Sequence, residues 1–350
     1  MTIPHALGRT VMQGDVALYL AVTGSRFAVH CDRVYAQNLG YRDCPVDDIL
    51  VFHLVFGRTV PDLSLNAVAN LGYAGCRFCA PVYVGDTLYA ESKVIGVKEN
   101  SNGKTGTVYV SSRGWNQNGD TVLEYYRWLM MRKRDESSKP PEPVVPSLPD
   151  KVADGDFVIP DFLREKAADA TDDVNVGSSA RWDDYNVGDD IHHIDGQTIE
   201  EAEHQMATRL YQNNARVHFN QHVEKDSRFG RRIIYGGYII SLARALSANG
   251  LAHGLRMAAV HSGRHAAPTF AGDTVYAWSR VLDKQPIAGT EQLGTLRLRT
   301  LVAKDNGTMV FPAPEDKSSW PPHLVLDFDY SVLMPRRASH KKSDRKAQKG

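Results

Sequence analysis

The feature that most constrains this chain is that it repeats itself. Ala80-Pro81-Val82-Tyr83-Val84-Gly85-Asp86-Thr87-Leu88-Tyr89-Ala90 returns as Ala267-Pro268-Thr269-Phe270-Ala271-Gly272-Asp273-Thr274-Val275-Tyr276-Ala277, an offset of 267 − 80 = 187. Arg77 and Arg264 keep that offset, while Thr10-Val11 and Val29-His30 match Thr198-Ile199 and Val217-His218 at 188. Two separated matches at nearly one offset imply a duplicated domain, and two copies are too few for a solenoid.

The join is legible too. Pro140, Pro141, Pro143, Pro146 and Pro149 crowd a stretch with little apolar periodicity, the composition of a semi-extended linker. The expected layout is a first unit over 1–135, a linker over 136–159 and a second unit over 160–335, with a disordered basic tail over 336–350.

Each unit reads in the same order. An opening helix (Asp15 to Thr23; Thr198 to Tyr211) precedes a His, and an apolar helix follows it (Ile49 to Thr59; Gly236 to Ala248). Strands rich in Val, Tyr, Thr and Leu come next, near 88–97, 106–115 and 122–131, then 275–282 and 293–302. Asn102-Gly103 and Asn118-Gly119 mark hairpin turns. One central helix followed by consecutive antiparallel strands is an α+β pattern, the sheet curling around the helix.

Bulk properties exclude several classes. Lys+Arg and Asp+Glu both number 41, so no net basic field exists for wrapping nucleic acid. No apolar run reaches the roughly 18 residues of a membrane span, and residues 1–9 lack a signal-peptide core, so a cytoplasmic protein is expected. Cys76 and Cys79 have metal or redox spacing, but no second such pair exists, and no metal is expected. Neither GxxxxGK[ST] nor GxGxxG occurs, which argues against nucleotide use.

The second unit carries Tyr185-Asn186-Val187-Gly188-Asp189, Thr198-Ile199-Glu200-Glu201-Ala202, Val217-His218 and the Ala-Pro-x-Phe-x-Gly-Asp-Thr segment, in that order, and Trp115-Asn116-Gln117-Asn118-Gly119 adds an Asn-Gln-x-Gly turn. These residues resemble the MaoC-like hydratases. The resemblance implies a tandem hotdog fold, reversible addition of water to an enoyl-CoA thioester, and no cofactor beyond the CoA of the substrate. The phrases YQNNARVHFNQH and RRIIYGGYIISLARAL are similar to the members that hydrate a methylfumaryl thioester.

The family's site places an Asp five residues before a His, and an oxyanion-binding Gly at the start of the central helix. Hydration needs groups that move protons and donors for the enolate-like oxygen, which a helix N-terminus supplies. Carried over, the His is His218, the Asp position is Asn213 and the Gly is Gly236, preceded by Tyr235 and followed by Gly237. In the first unit His30 and Ser25 stand at the matching places, and Phe52-His53-Leu54 reads as the helix start, with Leu in place of Gly. The second unit is therefore expected to be catalytic and the first to shape the cleft.

Asn213 cannot titrate near neutral pH, which leaves His218, or a carboxylate among Asp189, Glu201 and Glu203, to move protons. Arg216 or Arg26 could grip a substrate carboxylate. His261 and His265 read as surface or packing residues. A hotdog thioesterase and a non-catalytic acyl-CoA-binding protein stay open as alternatives, and a homodimer of the fused unit is plausible.

Overall fold

The computed structural model describes residues 1–65, 67–167, 172–308, 310–311 and 320–337. Its strands are β1 (Thr2–Pro4), β2 (Arg9–Thr10), β3 (Ala67–Phe78), β4 (Thr87–Glu99), β5 (Thr105–Trp115), β6 (Thr121–Arg132), β7 (Asp190–His192), β8 (Gln197–Thr198), β9 (Arg256–His265), β10 (Thr274–Pro286), β11 (Leu293–Lys304) and β12 (Leu324–Pro335). Its helices are α1 (Gln13–Thr23), α2 (Ala28–Cys31), α3 (Arg33–Asn38), α4 (Asp48–Leu63), α5 (Asp161–Lys166), α6 (Asp173–Val176), α7 (Glu201–Leu210), α8 (Arg216–Phe219), α9 (Gln221–Glu224), α10 (Gly236–Leu246) and α11 (Ala248–Leu251).

The repeat governs this list. Adding 188 to the bounds of β1, β2 and α2 gives those of β7, β8 and α8, and α4 and α10 begin 188 residues apart. The strands form one sheet in the order β1-β4-β5-β6-β3-β9-β12-β11-β10-β7. Each copy supplies six antiparallel strands wrapped on one helix, β2 and β8 pairing with β4 and β10 beside that path, and the copies join through β3 and β9, with Tyr73 opposite Gly263 and Arg77 opposite Ala259. This is the expected tandem hotdog.

The central helices are buried because their sequences are apolar on every side. In α10 every residue from Gly237 to Leu246 is buried, and α4 is nearly as enclosed. The repeated Gly-Asp turn has a local cause: Gly85 and Gly272 both adopt φ +96°, which favours glycine. Beside them Asp86 and Asp273 accept the backbone N–H groups of Tyr83 and Phe270 at 2.8 and 2.9 Å.

Two expectations change. The stretch over 136–159 is not a free spacer: Val144 bridges to Val97, and Val152, Phe157 and Ile159 are buried against the sheet. Apolar residues after the proline cluster dock it. The first-unit central helix, read as Ile49 to Thr59, starts at Asp48, so the counterpart of Gly236 is Asp48 rather than the Phe52 to Leu54 step. Of the basic tail, Arg336 and Arg337 are held by Gln292, Asp183 and Asp184, and 338–350 lie outside the described residues. Among the described residues no helix is long and apolar enough to cross a membrane.

Candidate active site

His218 sits on α8, a four-residue helix between Ala215 and Asn220. Its Nδ1 bonds the carbonyl of Ile233 at 2.9 Å. That contact puts the proton on Nδ1 and leaves Nε2 with a lone pair. Nε2 has no partner among the described residues, and the ring lines a cavity of about 330 Å³. Burial pushes the imidazole pKa down to about 4, so His218 is a neutral base at physiological pH.

The cavity lies between the copies. Phe56 and Val60 of α4, Ala67 to Asn70 and Tyr73 of β3 and Leu129 of β6 form one wall. Asn213, His218, Tyr235, Gly236, Ile239 and His265 to Thr269 form the other. A larger cavity of about 720 Å³, bordered by Arg58, Arg209 and Phe219, meets the first at Asn213.

Gly236 is the first residue of α10, so its N–H has no acceptor within the helix. No side chain caps this end; Tyr235, at the cap position, spends its own N–H on His204 Nε2 at 2.9 Å. The Gly236 amide and the helix dipole are therefore left uncompensated at the cavity. Gly237 serves packing instead: a Cβ there would lie 2.4 Å from the Tyr235 ring and 2.6 Å from that of His53. Tyr235 lines the cavity, and its hydroxyl is buried without a partner.

The same place in the first copy is closed. Asp47 caps α4, its Oδ1 accepting the Ile49 N–H at 2.9 Å. Asp48, where Gly236 has its counterpart, is a buried carboxylate that accepts the Met257 N–H at 2.8 Å and faces Arg256 at 3.6 Å. It is the Asp47 cap and the Asp48 side chain, rather than a Leu side chain at Leu54, that close the first helix start. His30 repeats the pose of His218, Nδ1 to the Pro45 carbonyl at 3.0 Å, but borders neither cavity. Ser25 contacts Asp47 at 3.4 Å.

Asn213 is buried, with Oδ1 accepting the Ala215 N–H at 3.1 Å, which leaves its amide N–H₂ as a donor at the junction of the cavities. None of the three carboxylates considered above lines either cavity. Asp189 caps the Asn186 turn, Glu201 pairs with Arg232 at 2.6 Å, and Glu203 lies on α7 away from both. Both proposed arginine clamps also fall away. Arg216 is exposed on the outer side of α8, and Arg26 bonds Asn249 Oδ1 at 2.6 Å.

The structure adds residues that sequence reasoning passed over. His265, read as packing, lines the cavity against Gly236. Its neighbour in the same reading, His261, is indeed structural, tied to Val152 and Ser331. His204 orients the Tyr235 amide. Asn70 borders the cavity with both amide atoms buried and unpartnered. Beside it Ser64 accepts from Arg127 at 3.1 Å, a fully buried guanidinium that also donates to Thr59 at 2.8 Å and stacks 4.4 Å from the Phe56 ring. Among the described residues no group of His, Cys, Asp and Glu could hold a metal ion.

A family model described as mesaconyl-CoA hydratase matches residues 2–314. The chain is 57% identical to beta-methylmalyl-CoA dehydratase of Chloroflexus aurantiacus, over 96% of this chain and 95% of that protein. It is 52% identical to mesaconyl-CoA hydratase of Cereibacter sphaeroides, again over 96% and 95%. A crystal structure of a MaoC domain dehydratase from C. aurantiacus superposes with a TM-score of 0.92 at 56% identity, covering 96% of this chain and 95% of that one. A Mycobacterium tuberculosis protein described as a double hotdog fold superposes at 0.76 with 26% identity, covering 95% and 96%. With the fold, the repeat and these matches spanning nearly its whole length, the chain belongs to the mesaconyl-CoA hydratase family.

Proposed function

We propose that the chain adds water reversibly to mesaconyl-CoA (2-methylfumaryl-CoA), giving beta-methylmalyl-CoA. The observation that carries the reading is a neutral His218, with Nε2 free, in one cavity with the uncapped amide of Gly236. The thioester carbonyl rests on the Gly236 N–H. A water held by the Asn213 amide gives a proton to His218 Nε2 as its oxygen bonds to the β-carbon. The electron pair of the double bond moves toward the thioester oxygen, and the helix start stabilises the charge. His218, now an imidazolium, returns the proton to the α-carbon. Atoms balance with one imidazole as both base and acid, which fits the absence of a titratable group at Asn213.

CoA approaches through the larger cavity, where Arg58 and Arg209 face its phosphates. The free carboxylate of the acyl portion meets Asn70 and the Ser64 hydroxyl, the latter polarised by Arg127. Both walls of this cavity come from one chain, so the proposed reaction draws on no residue of a second copy.

The test follows enoyl absorbance after mixing with mesaconyl-CoA, with thiol release recorded in parallel and His218→Ala as control. Loss of absorbance without thiol release is expected. Thiol release would assign a thioesterase. Tight binding with no turnover by wild type and variant alike would assign a carrier.

A further inference from the structure

His265 occupies a place where the fold itself needs only an apolar ring. The Cys79 N–H bonds the Val122 carbonyl at 2.9 Å, and the Ala266 N–H bonds the Val325 carbonyl at 3.0 Å. The preceding residues, Phe78 and His265, are therefore counterparts, at the same offset of 265 − 78 = 187 as the two Ala-Pro segments. Phe78 is buried in the apolar core of the first copy. In the second copy an imidazole stands there instead, its Nε2 buried with no partner, and the ring lines the cavity. A phenyl ring would avoid leaving a polar atom unsatisfied, which typically costs more than a made hydrogen bond returns.

The ring lies directly on the start of α10. A Cβ on Gly236 would come within 2.5 Å of its Cε1, 2.6 Å of Nδ1 and 2.7 Å of Nε2. Glycine at 236 thus admits the imidazole as well as the thioester. Tyr73 holds the ring edge-on from the other side, at 5.9 Å between centroids.

We infer that His265 is a second donor to the oxygen of the substrate's thioester carbonyl, acting beside the Gly236 amide. The inference rests on the hydratase reading and adds the group that completes its oxyanion site. Negative charge develops on that oxygen as water adds to the β-carbon, and donors already aimed at it favour the transition state over the ground state. Burial, with His218 close by, brings the His265 pKa down to about 4. The ring is therefore uncharged at neutral pH and donates from one N–H without giving up a proton. A neutral imidazole polarising a carbonyl at a helix N-terminus is an established catalytic device.

The test uses His265→Phe, which copies the counterpart residue and keeps the packing, and His265→Gln, whose side-chain N–H can replace that of Nε2. Removing the donor should lower kcat by about 10²–10³-fold, with KM within roughly threefold because the bond strengthens only in the transition state. His265→Gln should regain at least about tenfold over His265→Phe. On a His218→Ala background, where turnover should be slowed about 10²–10⁴-fold, vibrational spectroscopy should show the bound carbonyl shifted to lower frequency. Most of that shift should vanish when His265→Phe is added.

Turnover of His265→Phe at the wild-type rate, equal losses in the Phe and Gln variants, or an unchanged carbonyl frequency would each overturn the assignment. Should wild type fail to hydrate mesaconyl-CoA, the hydratase reading falls, while the carbonyl shift of bound thioester still decides the role of His265.

Discussion

His53 and Ser241 stand 188 residues apart, at the same place in the two copies, and bond each other at 2.9 Å where α4 and α10 meet. Two counterparts touching each other mark a local two-fold axis between the units. Ser241 also lies 3.2 Å from the Tyr211 hydroxyl and donates to the Gly237 carbonyl at 3.3 Å, so one hydroxyl ties three segments beneath the site. Ser241→Ala would take from His53, whose Nδ1 is already unpartnered, its 2.9 Å side-chain hydrogen bond. Urea denaturation should show a loss of about 1–3 kcal/mol; a loss under about 0.5 kcal/mol, within the range of an ordinary surface change, would mean the contact is incidental.

Asn213→Asp places a carboxylate beside the cavity of His218. An opposite charge favours the imidazolium, so the acid limb of the kcat/KM profile, expected near the depressed value of about 4, should move up. A pH–rate profile on mesaconyl-CoA measures it. An unmoved acid limb would show that the two side chains do not share one electrostatic site.

Acid should unfold the protein readily. Burial lowers the pKa of His53 and His204 to about 3 and of His193, His218, His261 and His265 to about 4, from 6.5. Between these values and 6.5 the unfolded chain binds more protons than the folded one, so stability rises with pH across that window. It is fully present above about 6.5 and is lost as pH falls toward 4. Calorimetry should find lower stability at pH 5 than at pH 7.5, with net proton uptake on unfolding; equal stability at both would contradict the buried, neutral histidines.

Arg209→Glu reverses a charge at the larger cavity. If CoA phosphates pass there, KM for the CoA thioester should rise about tenfold or more, with kcat nearly kept, and salt should shrink the difference. The pantetheine thioester, lacking those phosphates, should show little change. Equal effects on both thioesters would place CoA elsewhere.

Much of the fold was legible because the repeat survives in the sequence. The Gly-Asp turns keep it, as does the His pose, since His30 and His218 bond Pro45 and Ile233 in the same way. β3 and β9 are hard to bound from sequence because they meet each other at the middle of the sheet. In β9 the first six residues are all buried, so no alternation shows. The counterpart of Gly236 was misplaced because identity at that point is lost: Asp47 and Asp48 stand where the second copy has Tyr235 and Gly236, though the offset of 188 leads straight to them.

The arginine clamps failed for a geometric reason. Arg216 is two residues from His218 on a short helix, which turns it outward when His218 faces in. His265 and Arg127 gave no local motif. Comparing the copies position by position exposes His265 as an imidazole where the first copy keeps Phe78, whereas Arg127 becomes visible only once β6 is folded against α4.

The central claim is that one imidazole of the duplicated pair moves the protons. It is tested by kcat/KM on mesaconyl-CoA for His218→Ala and His30→Ala, each verified as folded. His218→Ala should lose about 10²–10⁴-fold, while His30→Ala, bordering neither cavity, should stay within roughly threefold of wild type. Comparable losses in both variants, or a larger loss at His30, would contradict the account.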